Sequence, residues 1–253
     1  MLELTINMTT LTPKVQKPLG TSRNLRGFWL GRIDYEQALA LQRAAVEQRL
    51  VNTISDCVYY LEHPPVITYG RATPPQHLPD KSLGIELREV SRGGQATYHG
   101  PGQLVGYLIV DLKTRKPGLP PDLHAFLRAI EEGISDYLST KWSLRAGSVP
   151  GKTGVWVFDH VTARKIASIG IAVRRWVSYH GFALNINPDL SIFSKFVPCG
   201  LSGDVMTSLD VEVGERWGRQ KRQPTLQQIA EELHSHLAEA LIRYGWCTRN
   251  NDE

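Results

Sequence analysis

Residues 91–104, Ser-Arg-Gly-Gly-Gln-Ala-Thr-Tyr-His-Gly-Pro-Gly-Gln-Leu, constrain this chain more than any other stretch. They lead into residues 104–110, a nearly continuous apolar run, which predicts a buried strand. Residues 85–90 predict a second, shorter strand upstream. The glycine-rich stretch therefore has to join two strands. Gly93, Gly94, Gly100 and Gly102 carry no Cβ and accept positive φ, which lets backbone come close to a ligand. Arg92, Gln95, Thr97, Tyr98, His99 and Gln103 add a dense set of donors and acceptors. A connecting turn has no need of an Arg, a His and that many glycines, so the stretch reads as the wall of a ligand pocket.

The elements around it follow from periodicity. Residues 28–33 predict a first strand, and a helix from about Asp34 places Ala38, Leu41, Ala45 and Leu50 near one face. Residues 57–61 and 66–69 predict strands separated by the Pro64-Pro65 turn, with Pro74, Pro75 and Pro79 marking a loop. A helix from Asp122 aligns Leu123, Phe126, Leu127, Ile130, Ile134 and Leu138 on one stripe. Strands are predicted over 154–157, 165–173 and 177–186, the last two as a hairpin turning at Arg174-Arg175-Trp176. Thr225 with Gln228 forms a capping-box pattern for a last helix bearing Leu226, Ile229, Leu233, Leu237 and Leu241 on one face. Strands in the middle with helices beside them predict an α/β or α+β fold, a mixed sheet with flanking helices.

A chain of 253 residues can bury a full core as one domain. The expected division is a flexible tail over 1–24, one catalytic domain over 25–246 and a short tail over 247–253. A net charge of +4 does not by itself point to nucleic acid. No apolar run reaches the ~18 residues of a membrane helix, and residues 1–23 lack the apolar core of a secretory signal. Cys57, Cys199 and Cys247 are odd in number and widely spaced, which argues against disulfides or a zinc cluster and for a reducing cytoplasm. The histidines show no metal-ligand spacing. Residues 146–153, Ala-Gly-Ser-Val-Pro-Gly-Lys-Thr, fit a relaxed Walker A pattern. A phosphate-binding loop leads into a helix, whereas Thr153 leads into an apolar strand, so the match is rejected and Lys152 is read as a loop charge.

Three blocks carry a resemblance. The first is Arg92-Gly93-Gly94, Thr97-Tyr98-His99, Gly102-Gln103 and then Tyr107. The second is Lys165-Ile166-Ala167-Ser168-Ile169-Gly170. The third is His180-Gly181-Phe182-Ala183-Leu184-Asn185-Ile186-Asn187 followed by Val197-Pro198-Cys199-Gly200. In this order they resemble the lipoyl(octanoyl) transferases of the biotin ligase and lipoate ligase superfamily, over roughly residues 24–244. The resemblance implies the mixed-sheet fold of those catalytic domains. It implies transfer of an octanoyl or lipoyl group from acyl carrier protein, through a thioester on Cys199, to a lysine of a lipoyl domain. The acceptors implied are the lipoyl domains of 2-oxoacid dehydrogenases and the glycine cleavage H protein. Lys165 is implied as the cation that holds the Cys199 thiolate. Arg92, Gly93, Gly94, Gln95, Ala96, Thr97, Tyr98, His99, Ser168, Ile169, Gly170, Gly181, Phe182 and Ala183 are implied as the acyl pocket. No cofactor, metal, nucleic acid or membrane is called for, and a monomer is expected.

The residues alone leave alternatives. Cys199, held between Pro198 and Gly200, suits chemistry better than Cys57 in an apolar strand or Cys247 near the chain end. A free thiol has a pKa of about 8.5 and needs a nearby cation to become an effective thiolate. His99 is the other candidate for that partner. An ATP-dependent lipoate or biotin ligase, a non-catalytic acyl-carrier or lipoyl-domain binding module, and a thioesterase are the competing functions.

Overall fold

The computed structural model describes residues 19–22, 25–71, 73–159, 162–200, 205–214 and 223–246. Its strands are β1 (Gly20–Ser22), β2 (Leu25–Arg32), β3 (Cys57–Glu62), β4 (Val66–Gly70), β5 (Glu86–Val90) and β6 (Thr97–His99). They continue with β7 (Gln103–Ile109), β8 (Ala146–Val149), β9 (Lys152–Phe158), β10 (Ala163–Arg174) and β11 (Val177–Asn185). The helices are α1 (Tyr35–Leu50), α2 (Leu123–Trp142), α3 (Leu209–Val213) and α4 (Leu226–Arg243). The large sheet has the order β1-β2-β3-β7-β11-β10-β9-β8, and a small one the order β5-β4-β6. Within the large sheet β2 and β3 run parallel and the other neighbours antiparallel.

Strand β7 organises the sheet, as its apolar run predicts. All seven of its residues are buried. Alternation sends Leu104 and Leu108 into the core shared with α2 and α4, and Val105 and Tyr107 to the face where α1 contributes Ala38. Burying Leu104 and Leu108 fully contributes roughly 1.5–3 kcal/mol each. Asp122 caps α2 by accepting the Ala125 N–H at 3.0 Å, and Thr225 with Gln228 closes the predicted capping box on α4. In α4, His234 points into the core, where Tyr60 Oη lies 3.1 Å from Nδ1 and the Leu25 carbonyl 3.2 Å from Nε2.

Several expectations need correction. The predicted N-terminal tail contains β1, which pairs with β2. Residues 1–18 and 247–253 lie outside the described residues. The buried stripe of α1 is Tyr35, Ala38, Leu39, Gln42, Ala45, Val46 and Arg49, and Leu41 and Leu50 are only half-buried. The stripe is rotated because two polar side chains on it have tertiary partners. Gln42 Oε1 accepts the His180 N–H at 2.7 Å, and Arg49 pairs with Asp56 at 2.7 Å. Lys152, read as a loop charge, is the first residue of β9, in the hairpin that the rejected Walker-like residues form with β8. The stretch over 91–104 is not one loop, because Thr97–His99 forms the edge strand of the small sheet.

Candidate active site

Three blocks distant in sequence meet at one cavity on the face of β10 and β11, between the two sheets. It is a small cavity, of about 40 Å³, that opens to solvent. Of the predicted pocket residues, Arg92, Gly94, Thr97, His99, Ser168, Ile169, Gly170, Gly181, Phe182 and Ala183 line it. Gly93, Gln95, Ala96 and Tyr98 do not. Strand alternation explains the last two: Thr97 and His99 face the cavity, while Ala96 and Tyr98 pack with Phe193, Phe196 and Met206 behind it. Gly93 presents its N–H to the Ile171 carbonyl at 3.4 Å.

The loop over 91–96 is held by Arg92. Its guanidinium donates to the Thr68 carbonyl at 3.0 Å, Thr68 Oγ1 at 2.8 Å, the Gln95 carbonyl at 3.0 Å and the Gly93 carbonyl at 3.0 Å. The loop can lie flat because Gly70 and Gly170 beneath it have no side chains. A Cβ on Gly70 would sit 2.6 Å from the Gly94 carbonyl oxygen, and one on Gly170 would sit 3.1 Å from Arg92 Cδ. Positive φ falls on Gly94, at +84°, and not on Gly93.

The sequence reasoning missed three lining residues, Tyr35, Tyr107 and His180. Tyr107 and His180 stood inside the resembling blocks without an assigned place; Tyr35, the first residue of α1, gave no signal. His180 has φ +58° within β11, a left-handed conformation rare for a non-glycine residue and one that accompanies functional sites. Tyr35 Oη, Thr97 Oγ1 and His180 Nε2 are buried here with no hydrogen-bond partner among the described residues. Burial lowers His180 to a pKa of about 3, helped by Arg92 and Arg43, and it raises Tyr35 to about 12.

His99 is occupied at both ring nitrogens. Nδ1 lies 2.8 Å from Gln103 Oε1, and Nε2 lies 3.4 Å from Thr68 Oγ1. Burial, then His63, lowers its pKa to about 3, so it is neutral and engaged. That removes the geometry a free base would need. Lys165 is different. It is the third residue of β10 rather than the first, and it is 3% exposed. Its ammonium lies 5.8 Å from the Trp156 ring, and among the described residues it makes no ion pair. A buried ammonium with no counter-charge is costly unless an anion faces it.

Cys199 lies in a single 3-10 turn, Pro198–Gly200. Its side chain and residues 201–204 lie outside the described residues, as does Cys247. The turn is anchored on both sides. Val197 N–H donates to the His77 carbonyl at 3.1 Å, and His77 Nδ1 donates to Gln95 Oε1 at 2.7 Å. Gly200 has φ +72°, and a Cβ there would meet the Gln95 amide at 3.0 Å. Gln95 is therefore a support of the Cys199 turn rather than a pocket wall. Cys57, by contrast, is buried in β3, and burial pushes its thiol up to about 12.

Residues 34–238 match the model of the lipoyl protein ligase A/B catalytic domain. The chain belongs to this family. An octanoyltransferase of Solibacter usitatus is 46% identical over 205 residues, covering 75% of this chain and 88% of its own. One of Geotalea uraniireducens is 43% identical, covering 73% and 81%. Solved structures agree on the fold. Lipoate-protein ligase A bound with ATP matches with a TM-score of 0.59 at 16% identity, over 83% of each chain. The biotin protein ligase of Aquifex aeolicus matches with a TM-score of 0.52 at 14% identity, over 88% of this chain and 72% of that one.

Proposed function

We propose that this chain is an octanoyltransferase of lipoate biosynthesis that works through an acyl-enzyme on Cys199. The observation that carries the mechanism is the buried Lys165, with no ion pair among the described residues, on the strand that also lines the cavity. The family relatives named octanoyltransferase support the transferred group.

The donor is an octanoyl thioester of acyl carrier protein. The Cys199 thiolate, held by the Lys165 ammonium, attacks the donor carbonyl. The new C–S bond forms, the donor C–S bond breaks, and Lys165 gives its proton to the departing thiolate. The lysine amine of a lipoyl domain then attacks the enzyme thioester. The amide C–N bond forms, Cys199 leaves as thiolate, and Lys165 takes the amine proton, which restores the starting state. The acyl chain lies against Ile169, Phe182 and Ala183, which line the cavity. The enzyme acts as a monomer in the cytoplasm.

The ATP-bound lipoate and biotin ligases of the same fold motivate one rival, an ATP-dependent ligase. The two separate in one assay: octanoylation of a lipoyl domain by purified enzyme and octanoyl-acyl carrier protein, with and without ATP. Transfer at an equal rate without ATP is expected. Transfer of free octanoate that requires ATP would replace this reading with the ligase.

A further inference from the structure

We propose that the side-chain amides of Gln103 and Asn185 form a positioning relay that fixes the Lys165 strand against the segment packed beside the Cys199 turn. The inference rests on the acyl-enzyme reading above and extends it to residues that touch neither the acyl chain nor the thiol.

The relay starts where β7 meets β11, with Gln103 and Asn185 directly opposite one another. Gln103 Oε1 accepts from His99 Nδ1 at 2.8 Å, and its Nε2 donates to Asn185 Oδ1 at 2.9 Å and to the Tyr98 carbonyl at 3.2 Å. Asn185 Nδ2 donates onward to the Thr207 carbonyl at 2.9 Å. Thr207 N–H donates to the Lys165 carbonyl at 3.0 Å, and Met206 forms a parallel bridge with Lys165. The Lys165 carbonyl is reached this way where the β9–β10 register breaks between Lys165 and Ala167. Met206 in turn packs with Phe193 and Phe196, just upstream of Cys199.

Gln103, Asn185 and Thr207 are each no more than 2% exposed. In such a setting only one orientation of each amide satisfies every partner, because a flip would set oxygen against oxygen or nitrogen against nitrogen. The relay therefore has a fixed direction, and it links one wall of the cavity at His99 to the strand of the lysine. A second tie holds the same segment: Thr207 Oγ1 donates to Glu212 Oε1 at 2.6 Å, and Glu212 receives the Arg164 fork at 2.7 and 2.9 Å. Lys165 is thus bracketed by a segment that the relay clamps. A shift of that strand by a fraction of an ångström moves the ammonium relative to the thiolate it serves.

The test uses Asn185→Leu and Gln103→Met, neutral changes that break the relay at either link. Acyl-enzyme formation is measured per folded molecule, with the pH profile of Cys199 alkylation alongside. Each variant is expected to slow acylation about 100-fold with little change in KM for the donor. Each is also expected to move the alkylation midpoint up toward the free-thiol value of about 8.5. The double variant should be no slower than the slower single one, as groups acting through one relay require. Ile134→Val, a core change in α2, supplies a destabilised control that should acylate normally. Should Asn185→Leu fail to fold, Asn185→Ala, which removes both side-chain bonds, takes its place. Folded relay variants with natural rates and a natural alkylation profile would overturn the relay while leaving the acyl-enzyme intact. Transfer by Cys199→Ser would overturn the acyl-enzyme reading itself.

Discussion

Acid should weaken this protein in a window set by its buried histidines. His63, His99 and His180 are buried, and burial lowers them to about 4, about 3 and about 3. In the unfolded chain each titrates near 6.5. Their folded values are depressed, so between pH 6.5 and about 4 the unfolded state binds protons that the folded state refuses. Their contribution is fully present above 6.5 and is lost as pH falls. One unit below the unfolded value each loses about 1.4 kcal/mol, so the trio loses about 4 kcal/mol between pH 7.5 and 5.5. His234, lowered by burial, adds in the same sense. Against a total stability of about 5–15 kcal/mol this is large, and it corresponds to a drop of about 8–16 °C in melting temperature. The assay is thermal melting across that range for the natural protein and for His180→Asn. Asparagine tolerates the left-handed backbone at position 180 but does not titrate. The variant should lose roughly a third of the trio's pH dependence. A melting temperature flat from pH 7.5 to 5.5, or an undiminished slope in His180→Asn, would refute the reasoning.

Other expectations follow from the same geometry. Lys165→Met should raise the alkylation midpoint of Cys199 and slow acylation by about 100-fold or more; an unchanged alkylation profile would remove Lys165 as the cationic partner. Cys57 should stay silent in that experiment, because burial pushes its thiol up to about 12. Gly93→Ala should fold and acylate normally, since its Cβ would meet only the Ile171 carbonyl oxygen at 3.7 Å. Gly94→Ala, at φ +84°, should cost about 1–2 kcal/mol in a denaturant melt and impair acylation. Equal effects of the two would contradict the loop geometry.

The parts of the fold that were legible are those whose signal is local. The run over 104–110 marks β7, Thr225 and Gln228 mark the start of α4, and the Arg175-Trp176 turn of the β10–β11 hairpin sits where the pattern breaks, at φ 48° and 71°. What was hidden depends on partners distant in sequence. Gln42 and Arg49 lie on the buried stripe of α1 only because the His180 amide and Asp56 are there to meet them. The glycine-rich stretch showed its residue types but not its alternation, so Tyr98 read as pocket although it packs on Phe193. Tyr35 joins the cavity through the placement of α1 alone. The Gln103–Asn185 link could not be read from spacing, since it follows from the β7–β11 register.

The central claim is most directly tested by the intact mass of the enzyme after incubation with octanoyl-acyl carrier protein in the absence of ATP. The account predicts one octanoyl group on the natural protein, mapped to Cys199, labile to hydroxylamine and discharged when a lipoyl domain is added. Cys199→Ser should carry none and transfer none. Octanoylation of the lipoyl domain by Cys199→Ser, or an adduct that a lipoyl domain cannot discharge, would contradict it.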